Sequence, residues 1–154
     1  MEKTVSQSYT EQIQIVMAAD IHGSERLFGG RLAQWIDVVA AVVARRHSNC
    51  NVTTARIDAL EFTGPAYVGE TLILIGRITY VGKTSMEVRV DVFVEELDGK
   101  RRQINRAYAV LVALDEEERP VEVPRLKLTT DEEKKEFECG LKRAQARKQA
   151  REER

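Results

Sequence analysis

The order of apolar and polar positions along the chain predicts a short strand, a long helix and then four further strands. Glu11 to Ala18 alternates between the two residue classes, as in a half-buried strand. From Phe28 to Ala44 the apolar residues recur at helical spacing, which gives one broad apolar face. That face consists of Leu32, Trp35, Ile36, Val39 and Val43. We therefore expect this helix to form the centre of the core.

Turn signals separate the four later strands. These strands are predicted over Val52–Phe62, Thr71–Val81, Ser85–Leu97 and Arg102–Leu114. The third alternates strictly, and its core-facing residues are predicted to be Met86, Val88, Val90, Val92 and Val94. Consecutive hairpins give an antiparallel sheet, and the single apolar helix has to cover one of its faces. The sequence predicts an α+β fold in which the sheet wraps around a central helix.

The chain changes character after Asp115. A polar linker with Pro120 and Pro124 leads to Thr130-Asp131-Glu132-Glu133, a capping box that begins a second helix. Lys142 to Arg154 is overwhelmingly charged. We expect one main domain over residues 1–126 and a charged helix or tail over 127–154, solvated and fraying. A functional basic arm is the alternative.

Composition narrows the classes of function. The 154 residues include 24 Lys and Arg against 25 Asp and Glu, so no net charge favours nucleic acid or an anionic membrane as a partner. Cys50 and Cys139 lack both metal-ligand spacing and the density of a disulfide scaffold, which predicts a cytoplasmic protein. Met1 to Thr10 is polar and no apolar run approaches 18 residues, so neither a signal peptide nor a transmembrane helix is expected.

Asp37 is the main candidate for chemistry. It lies on a stripe of alanines beside the apolar face and is the one charge between Arg31 and Arg45. Burying an unpaired carboxylate is costly, so Asp37 either bonds a neighbouring loop or backbone amide or takes part in a reaction.

Gly29 and Gly30 stand where the helix begins. Backbone N–H groups there are uncovered by side chains, which suits an anion or a developing oxyanion. Two consecutive glycines are also common in loops that bind nothing, so both interpretations remain open.

Ordered motifs give the chain a family resemblance. It resembles the hotdog-fold acyl-CoA thioesterases, in the group of bacterial broad-range and animal cytosolic acyl-CoA hydrolases. The resemblance covers Glu11 to Leu126. Its motifs are Phe28-Gly29-Gly30 with Trp35-Ile36-Asp37, Val52-Thr53-Thr54, Phe62 with Pro65 and Val68-Gly69-Glu70, Val81-Gly82-Lys83-Thr84-Ser85-Met86, and Leu111-Val112-Ala113-Leu114-Asp115.

This resemblance implies a hotdog fold and hydrolysis of acyl-CoA to free CoA and a carboxylic acid, without a metal or redox cofactor. It also implies a homodimer paired edge to edge, with the active site at the interface, and commonly a trimer of dimers. Asp37 would be the general base or the nucleophile, and the backbone N–H of Gly29 or Gly30 the oxyanion donor.

Further site residues follow from the same resemblance. Thr54 would face the thioester, and the turn Gly82, Lys83, Thr84 and Ser85 would bind CoA, although Lys83 is equally well explained as an ordinary hairpin lysine. The chain departs from the pattern at His22, where many relatives have Asn six residues before the Phe of Phe28-Gly29-Gly30. His22 is a functional replacement for this Asn, or it is a solvent-facing loop residue. If it does not replace the Asn, activity is altered or lost.

Two rival functions use the same fold. One is a non-catalytic acyl-CoA sensor or scaffold, which the departure at His22 keeps open. The other is a dehydratase of hydroxyacyl thioesters, which would need a His and a carboxylate on different motifs. A DNA-linked regulator would usually carry a helix-turn-helix segment, and the sequence has none that we recognise.

Overall fold

A long helix lies against the concave face of a five-stranded antiparallel sheet. The computed structural model describes residues 1–58 and 60–154. In chain order the elements are β1 (Glu2–Thr4), β2 (Thr10–Ile15), β3 (Ile21–His22), β4 (Arg26–Leu27), α1 (Gly29–Ser48), β5 (Asn51–Asp58), β6 (Thr71–Val81), β7 (Ser85–Glu95), β8 (Arg101–Leu114), β9 (Arg125–Lys127) and α2 (Asp131–Glu152).

The main sheet has the strand order β2-β6-β7-β8-β5, and every neighbouring pair is antiparallel. β1 and β9 form a separate parallel pair, and β3 and β4 a short antiparallel one. The predicted strand, helix and four-strand order is confirmed. β6 has the predicted bounds, whereas β5 ends at Asp58, short of the predicted Phe62. Ala59, inside that predicted strand, lies outside the described residues.

The predicted apolar face of α1 is buried. Leu32, Ile36, Val39 and Val43 are fully buried and Trp35 is 9% exposed. The helix can approach β6 closely because of Gly76, where a Cβ would lie 2.6 Å from Val39 Cγ1. It runs to Ser48 and ends at Asn49, whose left-handed backbone (φ 58°) is a common helix terminator.

α2 covers part of the convex face of the sheet. Half of the predicted capping box is present, since Glu133 N–H donates to the side chain of the N-cap residue at Thr130 Oγ1, 3.1 Å away. The Glu133 carboxylate accepts instead from the N–H of Thr129, the residue before the cap, at 2.9 Å. A Cβ on Gly140 would lie 2.6 Å from Tyr80 Cβ, so this glycine lets the helix lie close to β6. The expected charged C-terminal helix is confirmed and continues to Glu152. It is not solvated along its whole length, because its first part packs on the sheet, whereas residues 148–154 are exposed. The division of the chain after residue 126 remains a prediction.

Ion pairs hold α2 in place. Glu87 on β7 is 1% exposed and accepts from Arg143 at 2.9 and 2.8 Å and from Thr79 Oγ1 at 2.6 Å. Arg147 lies 3.4 Å from both Glu87 and Asp58 on β5. The polar residues of β7 are thus paired beneath a helix, where the alternating pattern alone would have placed them in solvent.

His47, near the end of α1, is fully buried. Its Nε2–H donates to Pro124 O at 2.8 Å, and Nδ1 has no partner among the described residues. Burial is the main reason why the pKa of His47 lies below its ordinary value, and the charges of Lys3 and Arg125 lower it further, although the Pro124 carbonyl opposes the shift.

We expect His47 to make the fold sensitive to mild acid. An unfolded histidine takes up a proton near pH 6.5, but the folded site resists protonation. Its contribution to stability is therefore present above about pH 6.5 and is lost as the pH falls through that value towards the lower folded pKa. Urea unfolding at pH 7.5 and 5.5 measures this loss. His47→Gln, which keeps an N–H donor but cannot titrate, should lose less stability over this interval. An equal loss in both proteins would refute the assignment.

Candidate active site

Asp37 and Thr54 form a side-chain pair between α1 and β5. Thr54 Oγ1 donates to Asp37 Oδ1 at 2.6 Å. Asp37 is half-buried and Thr54 is exposed. Among the described residues, the partner of Asp37 is thus a hydroxyl on a strand and neither a loop nor a backbone amide. This arrangement fixes the orientation of the carboxylate and leaves it reachable from outside the chain.

The strand that carries Thr54 is at the edge of the sheet. β5 pairs with β8 on one side, and the described residues place no strand on its other side. The register shifts between Thr54 and Arg56, which face Leu111 and Val110 respectively. A bulge of this kind redirects side chains and is common beside active sites. The Asp37–Thr54 pair therefore lies beside a strand edge whose backbone groups are free to pair with another chain.

The N-terminus of α1 offers uncovered N–H groups. Phe28 is the N-cap residue and makes no side-chain cap, and its carbonyl accepts from the N–H groups of Arg31 and Leu32. The N–H groups of Gly29 and Gly30 precede these in the first turn, at the positive end of a 20-residue helix. This geometry suits an oxyanion.

Phe28 connects these glycines to His22. The His22 and Phe28 rings meet edge to face with centroids 5.3 Å apart. A Cβ on Gly30 would lie 2.3 Å from Phe28 Cε1, so the same ring packs against Gly30. His22 is exposed and pairs with Arg26 in the β3–β4 ribbon. The structure thus brings His22, Gly29 and Gly30 together at one end of α1.

Asp37 does not join this group within one chain. Asp37 comes seven positions after Gly30, and at a rise of 1.5 Å per residue their backbones are about 10 Å apart along the helix. A carboxylate that attacks a carbonyl directly has to lie about 3–3.5 Å from its carbon, with the oxyanion donor about 3 Å from its oxygen. A single chain therefore presents the two halves of the predicted site separately.

The predicted CoA-binding turn is the hairpin between β6 and β7. Gly82 N–H donates to Ser85 O at 2.9 Å, and Arg125 Nη2 donates to Gly82 O at 2.6 Å, so these groups of Gly82 are occupied. Lys83 is exposed, and Thr84 and Ser85 are half-buried. Ser85 and Thr53 flank the same residue of β8, Val112. The hairpin therefore lies about 10 Å from the strand that carries Thr54.

A cleft of about 420 Å³ runs beside Gly29. The segment from Phe62 to Ala66 forms one wall, and Leu32 and Ile104 lie on its inner side. The sequence did not predict this cleft, because Ile104 is distant in the chain and residues 62–66 follow no period. The only available signal was the presence of Phe62 and Pro65 among the family motifs.

The described residues contain no group of three or more His, Cys, Asp or Glu side chains placed to hold a metal ion. The expectation of a cofactor-free reaction remains a prediction. No helix in the described part of the chain is long and apolar enough to cross a membrane.

The sequence of this chain is similar to those of known acyl-CoA hydrolases. The thioesterase superfamily model matches residues 25–99. A Bacillus subtilis protein named as an uncharacterized acyl-CoA thioester hydrolase is 36% identical over 134 residues, covering 86% of this chain and 78% of its own. A cytosolic acyl coenzyme A thioester hydrolase of Rattus norvegicus is 35% identical over 142 residues, which cover 89% of this chain but 37% of the rat protein.

Solved structures agree with these relatives. The acyl-CoA hydrolase of Staphylococcus aureus, solved with butyryl-CoA, CoA and CoA disulfide, has a TM-score of 0.93 and 31% identity, covering 99% of this chain and 94% of its own. An apo hexameric acyl-CoA thioesterase has a TM-score of 0.91 and 37% identity, covering 97% and 96%. Variants of the Staphylococcus aureus hydrolase have also been solved, in which an Asn, an Asp or a Thr is replaced by Ala.

These matches confirm the predicted resemblance and the hotdog fold. The Bacillus relative exceeds 30% identity and is covered over more than two thirds of its length. The Staphylococcus and hexameric structures superpose over nearly the whole chain. The chain therefore belongs to the thioesterase superfamily, in its group of hotdog-fold acyl-CoA thioester hydrolases.

Proposed function

We propose that the chain hydrolyses acyl-CoA thioesters to free CoA and a carboxylic acid, with Asp37 as the general base or nucleophile. The observation that carries this assignment is the 2.6 Å hydrogen bond from Thr54 to Asp37 beside an open strand edge. The Ala variants of the Staphylococcus aureus hydrolase lend support. Their Asn, Asp and Thr follow one another at the same spacing as His22, Asp37 and Thr54 do here.

The chemistry can run by either of two routes. As a general base, Asp37 takes a proton from water while the water oxygen bonds to the thioester carbon. As a nucleophile, its carboxylate bonds to that carbon and the resulting anhydride is then hydrolysed. In both routes the carbonyl oxygen becomes negative and the C–S bond breaks, releasing the CoA thiolate, which then takes up a proton. The N–H groups of Gly29 and Gly30 stabilise the oxyanion.

The site is completed by two protomers in this proposal. Asp37 of one chain would act on a carbonyl held at the α1 N-terminus of the other, which removes the 10 Å separation within a single chain. Pairing of β5 with the β5 of a second copy would cover the open edge and form an isologous dimer. The hexameric relative is compatible with three such dimers.

His22 would hydrogen-bond the thioester carbonyl or the attacking water, in the place of the Asn common in the family. Its position near Gly30, through the Phe28 ring, supports this role. An imidazole N–H can replace an amide N–H as a donor.

The β6–β7 hairpin would bind the CoA moiety. The Lys83 ammonium is exposed and can pair with a phosphate, and Thr84 and Ser85 can contribute hydroxyl groups. Gly82 would shape the turn. The Staphylococcus aureus relative binds CoA.

We place the reaction in the cytoplasm, with no metal or redox cofactor and with neither nucleic acid nor a membrane as partner. Both cysteines are free and half-buried, and the rat relative is cytosolic. The near balance of basic and acidic residues gives the chain no net charge that would attract a polyanion.

Thiol release from acetyl-, butyryl-, octanoyl- and palmitoyl-CoA tests the proposed activity. The proposal predicts release of CoA from at least one of them by the wild type. The rival acyl-CoA sensor would bind these compounds without turnover, and its binding would survive Asp37→Asn. Absence of thiol release together with measurable binding would favour the sensor and overturn the hydrolase.

Two substitutions of Thr54 should lower activity to different extents. A hydrogen bond to a charged group contributes about 1.5–3 kcal/mol, so Thr54→Ala should lower kcat about 10- to 100-fold by freeing the Asp37 carboxylate. Thr54→Ser keeps the hydroxyl and should retain most of the activity. Steady-state kinetics on one acyl-CoA compares the two. Equal losses for Ala and Ser would mean that the methyl group, and not the hydrogen bond, is what matters.

A further inference from the structure

The cleft beside Gly29 is lined mainly by apolar groups. Its apolar lining residues are Leu27, Leu32, Phe62, Pro65, Ala66 and Ile104. Leu32, Ala66 and Ile104 are at most 4% exposed and form the closed inner side. Phe62 is half exposed, and a Cβ on Gly29 would lie 3.3 Å from its Cζ, so its ring packs against the Cα of Gly29 on the side that a side chain would take. The cleft therefore opens next to the proposed oxyanion donor and ends in an apolar floor.

Two charged side chains lie at the cleft, and neither is at its apolar floor. Arg26 lines the exposed side, where its guanidinium lies 5.7 Å from the centre of the Tyr67 ring. Arg102 Nη1 donates to Pro65 O at 3.1 Å, and the guanidinium lies 3.6 Å from both Glu70 and Glu96. These contacts occupy and balance Arg102. A polar group at the end of an acyl chain would therefore be buried against Leu32 and Ile104 without a partner, which is costly. An aliphatic chain would gain from the same surface.

Gly64 controls the space above the floor. A Cβ at this position would lie 3.5 Å from Ile104 Cγ2 and 3.2 Å from Arg102 Nη1. The backbone of Gly64 is not in the left-handed region, so a larger residue is accommodated without backbone strain. Gly64 lines the cleft, so the two methyl groups of a valine would take up part of its volume and press on the side chains of Arg102 and Ile104.

From these observations we infer that Gly64 is a specificity-determining residue, which sets the length of the aliphatic acyl chain that this cleft accepts. The inference rests on the proposed hydrolase function and identifies the class of acyl group. Each methylene that enters the cleft contributes about a fourfold gain in kcat/KM, until the chain reaches Leu32 and Ile104.

The test is the ratio of kcat/KM for octanoyl-CoA to that for acetyl-CoA. Gly64→Val should lower this ratio about 15-fold, since about two methylenes lose their place in the cleft. Gly64→Ala should lower it less, and Ile104→Val, which removes one methyl from the floor, should raise it. Ala150→Val places a valine at an exposed position of α2, by adding two methyl groups to an existing Cβ, and serves as the control. Its ratio should equal that of the wild type.

Two results would overturn the inference while leaving the hydrolase function intact. One is an unchanged ratio in Gly64→Val and Ile104→Val, which would place the acyl chain elsewhere. The other is an equal fall for both substrates, which would mean that Gly64 only supports the position of Gly29. If Gly64→Val does not fold, the Gly64→Ala and Ile104→Val ratios decide alone. Lack of turnover of every acyl-CoA by the wild type would instead refute the proposed function itself, and the inference with it.

Discussion

Asp37→Asn is expected to lower kcat for acyl-CoA hydrolysis by about 10²–10⁴. The amide has nearly the shape of the carboxylate and can still accept the Thr54 hydrogen bond at its carbonyl oxygen. It can neither take a proton from water nor attack a thioester carbon. Asp37→Asn keeps the shape of the side chain but removes its ability to act as a base or nucleophile. The loss of activity should therefore appear in kcat much more than in KM.

Matched controls separate this effect from damage to the fold. Asp98→Asn makes the same chemical change at an exposed turn between β7 and β8 and should leave kcat within about twofold. The melting temperature and oligomeric state of Asp37→Asn should equal those of the wild type. An Asp37→Asn protein that releases thiol as fast as the wild type would remove Asp37 from the reaction.

Glu87→Ala is expected to lower the free energy of unfolding by about 3 kcal/mol. Glu87 is almost completely buried and accepts hydrogen bonds from Arg143 and Thr79. Its loss leaves these donors, and the nearby Arg147, without a counter-charge beneath α2. The value is at the lower end for a broken buried pair, since Arg143 is partly exposed and can regain some hydration.

Urea unfolding followed by circular dichroism measures this change. Glu138→Ala alters an exposed carboxylate on α2 and should change stability by less than about 0.5 kcal/mol. If Glu87→Ala is no less stable than this control, the ion pairs do not hold α2 on the sheet.

The sequence predicted the elements whose periodicity agrees with their burial. α1 shows a helical period because one face packs on the sheet, and β7 alternates because its apolar face lies in the core. The same inference, from the pattern of apolar residues to burial, did not predict that α2 packs on the sheet. A charged segment normally indicates solvent, but here the convex face of β7 carries Glu87, Arg89 and Asp91, and so both surfaces are charged. Pairing between residues so distant in sequence has no local signature.

Prediction of the candidate site was similarly uneven. Asp37 was predicted because a single carboxylate on an apolar helix is costly to bury unless it is paired or used in a reaction. Thr54 was predicted from the family motifs. Their contact adds a geometric reason for both assignments. The cleft was missed because its walls come from residues 62–66 and from Ile104, and a cleft is a property of the folded chain that no single segment encodes.

Mixed oligomers of two damaged variants test the central claim, a site shared by two chains. Asp37→Asn removes the carboxylate, and Gly30→Ala displaces the Phe28 ring and the adjacent donor. In a mixed dimer, one of the two sites combines the intact Asp37 of one chain with the intact Gly30 of the other. Equal mixing should therefore restore about a quarter of the wild-type rate, far above either variant alone. Mixed oligomers, verified by mass spectrometry, that remain as inactive as their parents would contradict the account.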